Sequence, residues 1–243
     1  MISKTKIKYL NSLKQKKNRI LHQSFIVESH KNVLDLLNSN YEILELFATR
    51  NWIEKNNIKK PIIVHKISSK DMQRISSLKN ASDVLILVKM PVNNKKFNFS
   101  GVNIALEDIK DPGNLGTIIR ICDWFGVKNI FCSYETVDAY NPKVVQSSMG
   151  SISRVRVIYT DLYKLIQKAP SNVNIYSTVI DGENINKIIL DQNSIIIFGN
   201  EGTGISSKMN SLIHNKIGIK RVGKAESLNV AISSAIILNK FCN

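Results

Sequence analysis

Three stretches of this chain set hydroxyl, carboxamide, carboxylate and guanidinium groups beside glycines, just where apolar runs end. The last is Ile219-Lys220-Arg221-Val222-Gly223-Lys224-Ala225-Glu226-Ser227-Leu228-Asn229-Val230-Ala231. It reads as a short strand, a polar turn and an abrupt helix start. Ser227 and Asn229 stand where backbone N–H groups lack intrahelical partners, so one of them is expected to cap the helix. The earliest stretch runs from Leu106 to Arg120 and contains Asp111-Pro112-Gly113-Asn114 as a turn into a helix. Asn114 and Arg120 can converge across one shoulder of that helix. Amid Ile118, Ile119, Ile121 and Cys122, the Arg120 guanidinium either ties helix to sheet through an ion pair or clamps a phosphate or developing oxyanion. The middle stretch, Ile195 to Ser206, feeds four apolar residues into a loop with Gly199, Gly202 and Gly204. Glycine there permits positive φ and close approach of a ligand to backbone. Glu201 is either a helix-capping acid or a group turned toward ligand. The loop is neither a P-loop, since Lys-Ser/Thr does not follow Gly204, nor a dinucleotide fingerprint.

These loops need a frame to hold them. From Val102 onward strands and helices alternate, with strands near 102–107, 129–134, 155–159, 173–179, 194–199 and 216–220 and a long helix from about 228. That alternation predicts an α/β fold: a mostly parallel, doubly wound sheet with helices on both faces and ligand sites at the strands' carboxyl ends. Residues 1–91 read as a smaller N-terminal α/β domain. Strands are predicted at Ser24–Glu28, Tyr41–Phe47 and Pro61–Val64, and a helix at Asn32–Leu37. Asp83–Val88 is a continuous apolar run of the kind buried in a parallel sheet. The polar, turn-rich stretch 92–101 is the expected linker, and 102–243 the second domain.

Composition narrows the partner. The chain has 243 residues, 43% of them hydrophobic, and a formal net charge of +15 from 34 Lys+Arg against 19 Asp+Glu. Such a cationic excess favours a polyanion, nucleic acid before an acidic membrane surface. The first 19 residues carry Lys4, Lys6, Lys8, Lys14, Lys16, Lys17 and Arg19 without an acid. With Ile7, Leu10 and Leu13 they suggest one helix with a weakly apolar face, either solvated or an RNA-contacting arm. A mitochondrial presequence is a weaker reading. Lys14, Lys16, Lys17 and Arg19 are the candidate RNA contacts. No apolar run reaches the roughly 20 residues of a membrane span, and no signal-peptide core precedes a cleavage site. Cys122, Cys132 and Cys242 form no C-x-x-C pair and the four histidines are scattered. No metal site is expected, and a reducing cytoplasm fits.

Taken together, D-P-G-N-L-G-T-I-I-R, F-G-N-E-G-T-G-I-S and G-I-K-R-V-G-K-A-E-S-L-N-V-A-I resemble the three motifs of the SpoU (TrmH-type) RNA 2′-O-ribose methyltransferases of the SPOUT superfamily. Residues 1–91 resemble that family's N-terminal RNA-binding domain. Two departures stand out: Ser29 where the family commonly has glycine, and Lys220-Arg221 where many members have Pro-Met. The resemblance implies an S-adenosylmethionine-dependent enzyme, a C-terminal trefoil knot, and a homodimer with its active site near the subunit interface. It implies that backbone around Thr178, Gly199, Ile219 and Leu228 holds the adenosyl group. Asn114, Arg120, Glu201, Ser227 and Asn229 would line the catalytic pocket, without a metal. Structured ribosomal RNA (23S) is favoured as substrate. The alternatives are a tRNA 2′-O-methyltransferase or a non-catalytic RNA-binding assembly factor.

Overall fold

The computed structural model describes residues 2–92, 99–188 and 193–242. Six of the ten residues expected as a linker, 93–98, lie outside the described residues. The chain forms two compact units, Met1–Val92 with Asp138–Ser153, and Asn93–Val137 with Arg154–Asn243.

The first unit opens with α1 (Lys4–Ser12) and α2 (Lys16–His22), then β1 (Ser24–Glu28), α3 (His30–Leu37), β2 (Ile43–Ala48), α4 (Arg50–Lys55), β3 (Ile63–Lys66), α5 (Ser69–Ile75) and β4 (Val84–Lys89). The N-terminal segment is two helices rather than one. Ser3 caps α1 by accepting from the Lys6 amide at 3.1 Å, and extended backbone at Gln15 restarts the chain as α2. Its apolar face is not solvated. Ile7, Leu10 and Leu13 are buried with Met72, Ile75, Leu85 and Leu87, each leucine stabilising by about 1.5–3 kcal/mol.

The sheet order is β1-β4-β2-β3. Contrary to the parallel-sheet reading of Asp83–Val88, β4 runs antiparallel to both β1 and β2. Only β2 and β3 are parallel. The apolar run in β4 reflects its central place and its burial from Val84 to Val88, a condition more common in parallel sheets but not confined to them.

The second unit follows as β5 (Val102–Leu106), α6 (Pro112–Trp124), β6 (Asn129–Cys132), then α7 (Pro142–Ser147) within the excursion into the first unit. It resumes with β7 (Arg156–Tyr159), α8 (Leu162–Gln167), β8 (Asn174–Asn184), β9 (Ser194–Phe198), α9 (Ser207–Leu212), β10 (Asn215–Gly218) and α10 (Val230–Phe241). All six strands are parallel, in the order β10-β8-β9-β5-β6-β7. Ala105, Phe131, Ile158, Ile195 and Ile197 pack under α8 and α9 with Leu165, Met209 and Ile213. By strand alternation Ile104, Ile130 and Ile196 point to the opposite face, and α6 and α10 pack on each other. After β5 the chain winds toward β6 and after β9 toward β10. The loops following these neighbouring strands therefore flank a topological switch point, where open α/β sheets bind ligands.

Asp138–Ser153 belongs to the first unit through specific bonds. Asp138 Oδ2 accepts from Arg19 Nε at 3.0 Å and Nη2 at 2.5 Å. The Phe25 and Tyr140 rings lie 4.5 Å apart, and Tyr41 donates to the Ile152 carbonyl at 3.3 Å. Gly150 has φ +89°, and a Cβ there would sit 2.0 Å from Asp35 Oδ2, so no side chain fits. The sequence reading placed these residues in the second domain. Their own fold is a short helix without a sheet partner, and they bury against α3 and β1 instead.

Candidate functional site

The site lies in the second unit, at the carboxyl ends of its strands. Asp111 caps α6, its Oδ1 accepting from the Asn114 amide at 2.8 Å. This holds Asn114 in the first helical turn with its carboxamide free to bond outward. Asn114 Nδ2 donates to Glu201 Oε1 at 2.9 Å. Asn229 Nδ2 donates to Asn114 Oδ1 at 2.9 Å. Asn229 Oδ1 meanwhile accepts from the Ala231 and Ile232 amides at 2.9 and 3.4 Å, so Asn229 is the cap of α10. A single amide–amide–carboxylate chain thus joins all three polar loops. Each of its members has its orientation fixed by the next, which is what pre-organises a site.

The other candidates fall around this chain. Arg120, on α6, is exposed and has no ion pair or hydrogen bond among the described residues. The ion-pair alternative raised by its apolar neighbours is therefore not taken. Ser227 and Leu228 are exposed, and Ser227 does not cap α10. Glu201 is not a helix cap either: α9 begins later, on the side chain of Ser206. Ile219 is half-buried at the end of β10, and Thr178 Oγ1 donates to the Ile197 carbonyl at 2.9 Å.

Gly199 serves the loop's own fold. A Cβ there would meet the backbone of Gly204 and Ile205 at 2.2–2.3 Å, because Asn200 and Gly204 form a two-bond bridge of 2.9 and 3.0 Å. Any ligand contact at Gly199 is therefore with backbone atoms. The Asn200 side chain, passed over in the sequence, accepts from the Gly202 and Thr203 amides at 2.9 and 3.1 Å and donates to the Asp108 carbonyl at 2.8 Å. Its signal was its place before two glycines, where an Asx turn forms readily.

Also missed was a cleft of about 630 Å³ at the same strand ends, lined by Glu107, Asp108, Glu135 and Asp161 among others. Glu107 is buried and satisfied, accepting from the Ser206 amide at 2.9 Å and from the hydroxyls of Ser206 and Tyr163 at 2.7 and 3.1 Å. Backbone N–H of Lys164 holds the Asp161 carboxyl below the usual carboxylate range, since Asp161 caps α8. Asn200, Thr203 and Gly204, from the loop that carries Glu201, also line this cleft.

In the first unit the four basic candidates differ. Lys16 and Lys17 are exposed. Lys14 Nζ donates to the Ser76 carbonyl at 2.8 Å. Arg19 is 2% exposed; besides its pair with Asp138, Nη1 donates to the carbonyls of Leu13 and Lys14 at 2.8 and 2.9 Å. Its guanidinium holds the first unit together and is closed to a phosphate.

A parallel α/β sheet with a polar chain uniting three loops at its switch point defines a protein with a ligand site at the strands' carboxyl ends. The SpoU rRNA methylase family model matches residues 101–239, more than half of the chain, and the protein belongs to that family. Residues 4–85 match an MRM3-like substrate binding domain. A 23S rRNA (guanosine(2553)-2′-O)-methyltransferase, RlmP of Bacillus subtilis, is 25% identical over 235 residues, covering 96% of this chain and 94% of its own. A TrmH-family structure from Porphyromonas gingivalis superposes with a TM-score of 0.91 at 30% identity, covering 99% and 98% of the two chains. An AdoMet-bound rRNA methyltransferase from Sinorhizobium meliloti does so at 0.88 and 26%, covering 99% and 95%. The fold expected from the sequence, a parallel α/β sheet beside a smaller N-terminal unit, is the fold observed.

Proposed function

We propose that this protein methylates a ribose 2′-hydroxyl in 23S ribosomal RNA, using S-adenosylmethionine. The observation that carries it is the Asn229–Asn114–Glu201 chain, which unites the three motif loops. Ribosomal RNA is favoured over tRNA because a relative that spans both units is a 23S rRNA enzyme and because residues 4–85 match a substrate-binding domain.

The cofactor fits the residues present. Leu228 is a large apolar side chain about half exposed, a surface suited to an adenine ring, and a Cβ added at Gly204 or Gly223 would meet nothing within 4 Å. Backbone around Thr178, Gly199, Ile219 and Leu228 would hold the adenosyl group. When bound, S-adenosylmethionine supplies a methyl group already activated by its sulfonium, so no metal is required. The work left to the chain is orientation and disposal of one proton. Asn114 and Asn229 fix the loops against each other, Glu201 anchors Asn114, and Ser227 orients the ribose. The unpaired Arg120 guanidinium holds the substrate phosphate and polarises the 2′-hydroxyl, whose proton passes to that phosphate.

Two further features belong to this reading. The C-terminal segment forms a trefoil knot; β10 pairs with two separate stretches of β8, Tyr176–Ser177 and Glu183–Asn184, and the backbone at Gly182 and Ile217 approaches closely enough to exclude a Cβ. The protein is a homodimer; α10 is apolar on both sides, with Ile232 and Ile236 exposed and Ile237, Leu238 and Phe241 buried, as in a helix that buries its outer face in a partner. Free cysteines fit a cytoplasmic setting.

The test is methyl incorporation from labelled S-adenosylmethionine into unmethylated 23S rRNA, followed by mapping of the 2′-O-methyl position. Incorporation at one ribose is expected. Incorporation into tRNA alone would overturn the rRNA assignment, and cofactor binding without any transfer would favour a non-catalytic RNA-binding role.

A further inference from the structure

The loop between β10 and α10 carries three cations with no acidic partner. Lys220, Arg221 and Lys224 are exposed, and none forms an ion pair among the described residues. The one bond recorded for them is from Arg221 Nη1 to the Ala225 carbonyl at 3.5 Å, which folds the loop on itself. Glu226 is the loop's single acid. The loop is tethered at its end to the polar chain, through Asn229 and Asn114. Ordinary surface lysines could show the same exposure. What sets these apart is their setting within one unit. The strand ends facing Glu107, Asp108, Glu135 and Asp161 form a cleft of four carboxylates, two of them paired with Lys110 and Lys164, whereas the loop ending at Asn229 sets three cations against the single Glu226, and Arg120 is exposed without an acid. By this balance of charge a polyanion meets a net positive loop and a net negative cleft within one unit.

We infer that Lys220, Arg221 and Lys224 are phosphate-binding residues that seat the RNA strand flanking the target nucleotide, and that the strand runs over this loop rather than over the acidic cleft. The inference rests on the 2′-O-methylation reading above. It assigns the two positions where the chain departs from Pro-Met to substrate seating, where a bidentate guanidinium and two point charges suit phosphate oxygens.

The test compares two triple variants of the full chain. One is Lys220→Gln, Arg221→Gln, Lys224→Gln. The other removes three exposed lysines of the same unit that lie outside β10, the loop and α10: Lys128→Gln, Lys164→Gln, Lys168→Gln. In vitro transcribed 23S rRNA is the probe, and S-adenosylmethionine affinity by calorimetry reports that the site is intact. The loop variant should keep cofactor affinity and kcat, raise KM for RNA, and lower the log–log salt slope of RNA binding by about one unit per lost contact. The control should change little. A loop variant with wild-type KM and slope, or a control impaired equally, would overturn the inference while leaving the methyltransferase reading in place. If wild-type protein transfers no methyl group, that reading fails and this one with it. If the loop variant loses cofactor affinity, the cations act on the fold of the pocket and the seating role is wrong.

Discussion

In the first unit the Arg19 guanidinium makes four hydrogen bonds inward, to Asp138 and to the carbonyls of Leu13 and Lys14. In the second, Arg120 stands exposed on α6 with no partner among the described residues. Both looked functional in the sequence, one as a member of a basic N-terminal arm and one as a pocket clamp. The difference lies in what surrounds them. The arm folds back onto the core through Ile7, Leu10 and Leu13, and its last basic residue is drawn in with it. On α6 the apolar neighbours Ile118, Ile119 and Cys122 are turned to the core, which leaves the face carrying Arg120 outside. Position relative to the core, more than residue type, separates a buried strut from a cation open to a ligand.

The comparison can be broken most sharply by truncating each arginine. Arg120→Ala should lower kcat by about 10²–10⁴-fold, while leaving the denaturant midpoint and S-adenosylmethionine affinity unchanged; near-normal methylation of a true substrate would remove Arg120 from the mechanism. Arg19→Ala should do the reverse. It leaves Asp138 and two carbonyls without their donor, and breaking a buried pair costs about 3–5 kcal/mol. Urea melts should show that loss, with kcat intact at temperatures where the protein remains folded.

A smaller effect is expected at Ser29. It precedes α3 with φ 79° and ψ 145° and makes no capping hydrogen bond from its side chain. That backbone region is close to glycine-only, with a cost of about 1–3 kcal/mol for other residues. Ser29→Gly should therefore raise stability by about 1 kcal/mol or more. An unchanged melting temperature would show that the turn relaxes. The departure from the family's glycine, invisible as strain in the sequence, is thus a local cost in the first unit.

An effect confined to alkaline pH concerns the buried thiols of the second unit. Burial pushes Cys122 well above its ordinary value and raises Cys132. The folded protein holds these protons at a pH where the unfolded chain, near the ordinary 9.0, has released them. Their contribution is present below pH 9 and is lost as pH rises beyond it, by at most about 1.4 kcal/mol per pH unit per thiol. Urea midpoints at pH 8 and pH 10 should fall accordingly. Rapid labelling of both thiols in native protein at pH 8 would show that the interior is open.

Much of this was readable in the chain. The second unit's strands were, because buried parallel strands give unbroken apolar runs such as Ile195–Phe198, and the loops were, because Asn114, Glu201 and Asn229 are polar groups at strand and helix ends. What could not be read is pairing at a distance. The direction of β4 depends on neighbours 40 to 60 residues away, the burial of Arg19 on Asp138, and the acidic cleft on four loops that converge only in three dimensions. Nor could the sequence choose between Ser227 and Asn229 as the cap, since both types serve; the structure gives it to Asn229.

The return of Asp138–Ser153 to the first unit has a consequence for how the chain is made. Synthesis delivers residues 1–92 first, yet the partner of Arg19 and the ring that meets Phe25 arrive nearly fifty residues later. At about 5–20 residues per second the N-terminal sheet waits several seconds for its last pieces, with a charged guanidinium and an aromatic face uncovered. Completion of the first unit is therefore coupled to the emergence of β5, α6 and β6, and the order of translation is not the order of assembly.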